Sequence, residues 1–169
     1  TADVLGEDGV IPTTYKALPQ DVSDGDRILL DDGLLELQVE KINGQQVHCR
    51  VLVGGLLKNR KGMNLPGVAV SAPALTEKDL ADLEFCIEQE LDYLALSFVR
   101  TAAEVIELKK LLAQRQASIQ VIAKIEKPEA VEAFTEILAA ADGIMVARGD
   151  LGVEISSEKV PLIQKHIIR

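Results

Sequence analysis

The chain of 169 residues is 47% hydrophobic and 27% charged, within the range of folded domains and long enough to bury one substantial core or two small ones. A formal charge of −9, with 3% aromatic residues and no Trp, argues against nucleic acid, whose binding needs clustered Lys and Arg and stacking rings. No stretch approaches the roughly 18 apolar residues of a membrane span, and the opening residues 1–8 have neither a basic region nor an apolar run, so a cytoplasmic location and no membrane partner are expected.

From Asp24 to Gly55 the hydrophobic period is two. Leu35, Leu37 and Val39 alternate with Glu36, Gln38 and Glu40, and Val47, Cys49, Val51 and Val53 enclose His48 and Arg50. With Asp24-Gly25, Asp32-Gly33 and Asn43-Gly44 as turns, this predicts antiparallel hairpins in a small sheet or barrel with no helix. Residues 54–67, with four glycines, Pro66 and the basic run Lys58, Arg60 and Lys61, read as a loop or hinge. A small all-β domain over 1–70, incomplete at its start, follows.

After Ser71 short apolar strands alternate with helices of period 3.6, the mark of a parallel sheet built from βα units. A helix is expected from Thr76, capped through Asp79, with Leu80, Leu83, Ile87 and Leu91 on one face; a strand over 93–99 follows. Thr101 and Glu104 cap a helix with Val105, Leu108 and Leu112 inward. Next come a strand over 121–126 and a helix with Pro128 in its first turn and Val131, Phe134 and Leu138 buried. A strand over 143–148, a Gly149–Gly152 turn and a helical pattern on Val160, Ile163 and Ile167 complete the chain. About three βα units make a partial TIM (β/α)8 barrel over 71–169, truncated at both sides because eight units close one. Cys49 and Cys86 are expected to be buried thiols, not a disulfide.

Two features carry chemistry. Alternation puts Lys124 and Glu126 on one face of an apolar strand, at the carboxyl end where barrels assemble active sites; an inert ion pair is the plain structural alternative. Gly149-Asp150-Leu151-Gly152 follows the neighbouring strand, and two glycines around an acid let backbone N–H groups and a carboxylate approach a ligand, though a tight turn capped by Asp150 reads equally well. Together Glu126 and Asp150 offer the two hard oxygen donors that Mg²⁺ takes from a protein. Lys61 could reach an anion and Ser97 a phosphate, against a solvated turn and a backbone-satisfied Ser as the commoner outcomes. His48 and His166 read as surface residues without partners at metal spacing.

These segments resemble the pyruvate kinase family. Residues 121–131 (VIAKIEKPEAV) are similar to its active-site signature and 142–154 (DGIMVARGDLGVE) to its most recognisable stretch. Leu30 to Gly33, Lys61 to Gly67, Thr76 to Asp79 and Ser97 to Arg100 match in the same order. The resemblance implies a β-domain inserted as a lid after the third barrel strand, with the visible strands fourth to sixth. It implies phosphoryl transfer from phosphoenolpyruvate to ADP, giving pyruvate and ATP. Lys124 would be the catalytic cation, Glu126 and Asp150 the ligands of Mg²⁺ or Mn²⁺, and the main chain at Ala147 and Gly149 the carboxylate site. Ser97 would line the phosphate site, and Lys61 and Asp32 would serve the nucleotide. It further implies a K⁺ site whose ligands lie outside this chain, a homotetrameric parent, and an isolated fragment that does not turn over. Lys127 stands where the family usually has Asn, and Ser156 where Pro is common. A Mg²⁺-dependent barrel lyase or aldolase and a non-catalytic barrel fragment are the competing readings; the first leaves residues 1–70 without a task.

Overall fold

The computed structural model describes Gly6 and residues 9–169, so the opening residues read above for a leader lie, apart from Gly6, outside the described residues. The chain divides into two compact units, Thr1–Ala72 and Pro73–Arg169.

In the first unit β1 (Arg27–Leu30), β2 (Leu35–Asn43), β3 (Gln46–Val53) and β4 (Met63–Asn64) form an antiparallel sheet in the order β3-β2-β1-β4. Leu18, Val22, Ile28, Leu30, Leu35, Val39 and Leu65 make its core. Asn43 pairs with Gln46, which leaves Gly44 and Gln45 as a two-residue hairpin loop, and Gly44 adopts φ 59°, a conformation glycine takes without steric cost. Residues 24–55 hold no helix, as expected; one short helix, α1 (Leu18–Asp21), precedes them, a single turn with Pro19 near its start that places Leu18 in the core. Asp24-Gly25 lies before β1 rather than between paired strands, and Gly25 N–H donates to the Val39 carbonyl. The sheet is open among the described residues, β4 being only two residues long, and Val51 and Val53 stay exposed because no described layer covers that end of the hairpin.

The two ends of this unit are tied by one carboxylate. Asp21 Oδ2 accepts from the Tyr15 hydroxyl, from Ser71 N–H at 2.8 Å and from Ser71 Oγ at 3.1 Å. Burial pushes the Asp21 carboxyl up, but the donors from Ser71 and Tyr15 outweigh it and hold the group below its ordinary value.

In the second unit the order is α2 (Glu77–Glu88), β5 (Tyr93–Leu96), α3 (Ala102–Gln114), β6 (Gln120–Ile125), α4 (Pro128–Glu132), α5 (Phe134–Ala140), β7 (Gly143–Val146), α6 (Arg148–Glu154) and α7 (Val160–Ile168). The strands form a parallel sheet in the sequential order β5-β6-β7. Thr76 caps α2 reciprocally, accepting from Asp79 N–H at 3.2 Å while its own N–H donates to Asp79 Oδ2 at 2.8 Å. At α3 Thr101 N–H donates to Glu104 Oε2 at 3.1 Å. Val105, Leu108 and Leu112 of α3, as expected, and Ile137 of α5 pack with Val121, Ala123 and Ile125 of β6 to form the core. Asp142 staples the layers, accepting from Val121 N–H at 2.8 Å and from Lys109 Nζ at 2.7 Å.

Four features differ from the periodicity. The helix after Pro128 breaks at Ala133, which shifts its phase so that Ile137 is buried and Leu138 is exposed. Only Leu83 of α2 is fully buried, while Leu80 and Leu91 are exposed, no described element covering them. Residues 148–154 form a helix instead of a turn, anchored by the fully buried Leu151. β5 and β7 are four residues each, so Ser97 and Ala147 lie just past strand ends. Cys49 and Cys86 are free, half-buried thiols, and burial pushes the Cys49 thiol up. Among the described residues no helix is long and apolar enough to cross a membrane.

Candidate functional site

The carboxyl end of β6 carries a polar cluster. Val121, Ala123 and Ile125 turn towards the helices and are fully buried, which leaves Ile122 and Lys124 half-buried on the opposite face. Glu126 follows directly, with a side chain only 2% exposed, and its Oε1 lies 2.5 Å from Lys124 Nζ. Lys124 Nζ also donates to Ser97 Oγ at 3.0 Å, past the end of β5. Three expected residues, Ser97, Lys124 and Glu126, are thus brought together across two adjacent strands.

Phe98, which periodicity did not single out, completes the group. Its φ is 54°, a left-handed conformation costly for a bulky residue, and this aims its N–H at Glu126 Oε2, 2.9 Å away. Glu126 therefore has one oxygen held by the backbone and one against an ammonium. Its Oε1 is within ion-pair distance of Lys124 but has no aligned hydrogen-bond donor, a buried acceptor with lone-pair capacity left over.

The neighbouring strand supplies the rest. Ile125 lies beside Val146 in register, and Ala147 N–H donates to the Ile125 carbonyl at 3.2 Å. Ala147 thus sits next to Glu126, with Gly149 and Asp150 in the exposed first turn of α6. Asp150 is exposed and does not join this cluster. The described residues contain no cluster of three or more metal-binding side chains. Glu126 past the end of β6 and Asp150 in the first turn after β7 are hard oxygen donors of the type that could hold a Mg²⁺. A second buried pair was not anticipated: Lys127 Nζ lies 2.5 Å from Glu154 Oε1, with side chains 14% and 3% exposed. A lysine one residue after a strand-end acid and a glutamate six residues after Arg148 give no sequence signal of contact; only the packing of α6 does.

In the first unit Lys61 pairs with Asp31 at 2.7 Å, not with Asp32, and hydrogen bonding to Asp31 raises the Lys61 pKa above its usual value. Asp31, Asp32 and Gly33 have φ of 53°, 57° and 83°, three successive left-handed residues in the turn between β1 and β2. A cavity of about 680 Å³ lies away from this chemistry, where Tyr93 and Gln120 begin β5 and β6, at the opposite end of the strands from Lys124.

A three-stranded parallel sheet of βα units, with a Lys–Glu pair at the carboxyl end of its middle strand, places this unit in the α/β class. The family model described as "Pyruvate kinase, barrel domain" matches residues 2–169. The chain is 54% identical over 171 residues to pyruvate kinase from Geobacillus stearothermophilus, covering 99% of this chain and 29% of that protein. It is 49% identical over 169 residues to pyruvate kinase from Staphylococcus aureus strain USA300, again covering 99% and 29%. The chain belongs to the pyruvate kinase family, and it spans 29% of the length of these relatives.

Proposed function

We propose that the complete protein transfers the phosphoryl group of phosphoenolpyruvate to ADP, giving pyruvate and ATP, and that residues 71–169 are the fourth to sixth βα units of its catalytic barrel. The sequential parallel order β5-β6-β7 supports this, as does the family model. Residues 1–70 are then the lid inserted after the third strand. The observation that carries the reading is Lys124, held between Ser97 Oγ and a buried Glu126 at the carboxyl end of β6.

The ammonium of Lys124 is fixed before the reaction begins, so it can stabilise charge developing on the transferring phosphoryl group and on the enolate oxygen without reorganising. Glu126, oriented by Phe98 N–H, and Asp150 of α6 would hold Mg²⁺ or Mn²⁺. The ion, when bound, would supply positive charge that stabilises the negative charge of the reacting groups. The main chain at Ala147 and Gly149 receives the substrate carboxylate, and Ser97 lines the phosphate position. Lys61 and Asp32 act on the nucleotide, with Asp31 holding Lys61. Closure of the lid would exclude water, the competing acceptor. The parent would be a cytoplasmic homotetramer with a K⁺ site outside this chain, and the chain alone would not turn over.

The test is pyruvate formation by the complete protein and its Lys124→Met variant at saturating Mg²⁺. A loss of turnover by several orders of magnitude, with phosphoenolpyruvate still bound, is expected. No pyruvate from the unmodified protein would overturn the reaction; an active variant would overturn the role of Lys124.

A further inference from the structure

α6 is short, and its first turn presents Asp150 while its last residue is Glu154. Between them the fully buried Leu151 seats the helix by packing, and Ala147 N–H, donating to the Ile125 carbonyl, ties its start to β6. At its end a polar contact adds to this, Glu154 Oε1 against Lys127 Nζ at 2.5 Å. Lys127 directly follows Glu126 and is the N-cap of α4, whose start is stiffened by Pro128. The far end of α6 is therefore tied to the residue adjoining one proposed ligand, while its near end carries the other. The pair is largely removed from water, where an ion pair of good geometry holds position and the loss of one partner is felt strongly.

We infer that Lys127 is a positioning residue: through Glu154 it sets where α6 presents Asp150 relative to Glu126, and so sets the affinity of the divalent-cation site. This rests on the reading of Glu126 and Asp150 as that site. Neither Lys127 nor Glu154 touches substrate; they act on the separation of the two carboxylates.

The experiment is Mn²⁺ binding to the complete protein, followed by the electron paramagnetic resonance of free Mn²⁺, for the unmodified protein, Glu126→Gln, Lys127→Met, Lys127→Arg and Glu154→Gln. Outer partners of metal ligands typically shift affinity by 10–100-fold, so Lys127→Met is expected to weaken Mn²⁺ about tenfold. Glu154→Gln should follow in the same direction, and Lys127→Arg, which keeps the charge, should recover binding. In turnover the KM for phosphoenolpyruvate should rise in Lys127→Met while the KM for ADP stays unchanged, a split that loss of fold would not produce. Mn²⁺ affinity unchanged in Lys127→Met overturns the inference. If that variant does not fold, unchanged affinity in Glu154→Gln, which keeps side-chain volume, overturns it equally. Affinity unchanged in Glu126→Gln overturns the site itself, and the inference with it.

Discussion

Removing the Lys124 ammonium should expose how the site is held together. In Lys124→Met the Glu126 carboxylate, 2% exposed, keeps one donor, Phe98 N–H at 2.9 Å, and loses its counter-charge at 2.5 Å. Breaking a buried pair from one side costs about 3–5 kcal/mol. Lys124 is itself 23% exposed, which lets water approach the vacated position and sets the expectation at the lower end, about 3 kcal/mol at neutral pH. With an m-value of about 2 kcal/mol/M in urea, the midpoint for this unit falls by about 1.5 M. Adding Glu126→Gln removes the stranded charge yet keeps an oxygen for Phe98 N–H, so the double variant should regain about 2 kcal/mol. Urea unfolding of the complete protein and these variants at pH 7, followed by circular dichroism, measures the cycle. A double variant as unstable as Lys124→Met would refute the reasoning, because the cost would then lie in packing and not in an uncompensated charge.

Other perturbations test separate layers. Leu108→Ala, at a fully buried α3 position, should cost about 2–5 kcal/mol by the same urea assay. Thr76→Ala removes the α2 cap and should cost about 1 kcal/mol, with Thr76→Ser recovering most of it. Hydrogen bonds from Lys109 and Val121 hold the Asp142 carboxyl below its ordinary value, so its stabilisation is present above the unfolded value of about 3.9 and is lost as pH falls through the lower folded value. Thermal melts from pH 7 down to pH 3 should therefore show a shallower acid decline in Asp142→Asn, whose stability at pH 7 is already reduced. Lys61→Met should raise the KM for ADP and leave that for phosphoenolpyruvate unchanged, as steady-state kinetics of the complete protein can read; equal rises in both would count against a nucleotide role.

Much was legible in the chain itself. Period-two alternation over 35–53 and the two Thr-initiated capping boxes are local signals, decided by neighbouring residues, and β2, β3, α2 and α3 appear where they indicate. Lys124 and Glu126 stood out because charge in an apolar strand is costly unless it has a task, and two residues of separation on a strand share a face. Tertiary structure decided the rest. The break at Ala133 exchanged Leu138 for Ile137 because packing against α3 and β6 outweighs a weak helical phase in an Ala-rich segment. Residues 148–154 became a helix because Leu151 finds a buried seat that no local pattern reveals. The left-handed Phe98, the choice of Asp31 over Asp32 by Lys61, and the Lys127–Glu154 pair each depend on residues brought close by strand register or helix docking. Residue types and their spacing determined which groups can do chemistry; only the fold determined which of them meet, since an interaction between residues 27 apart exists only once the chain between them has packed.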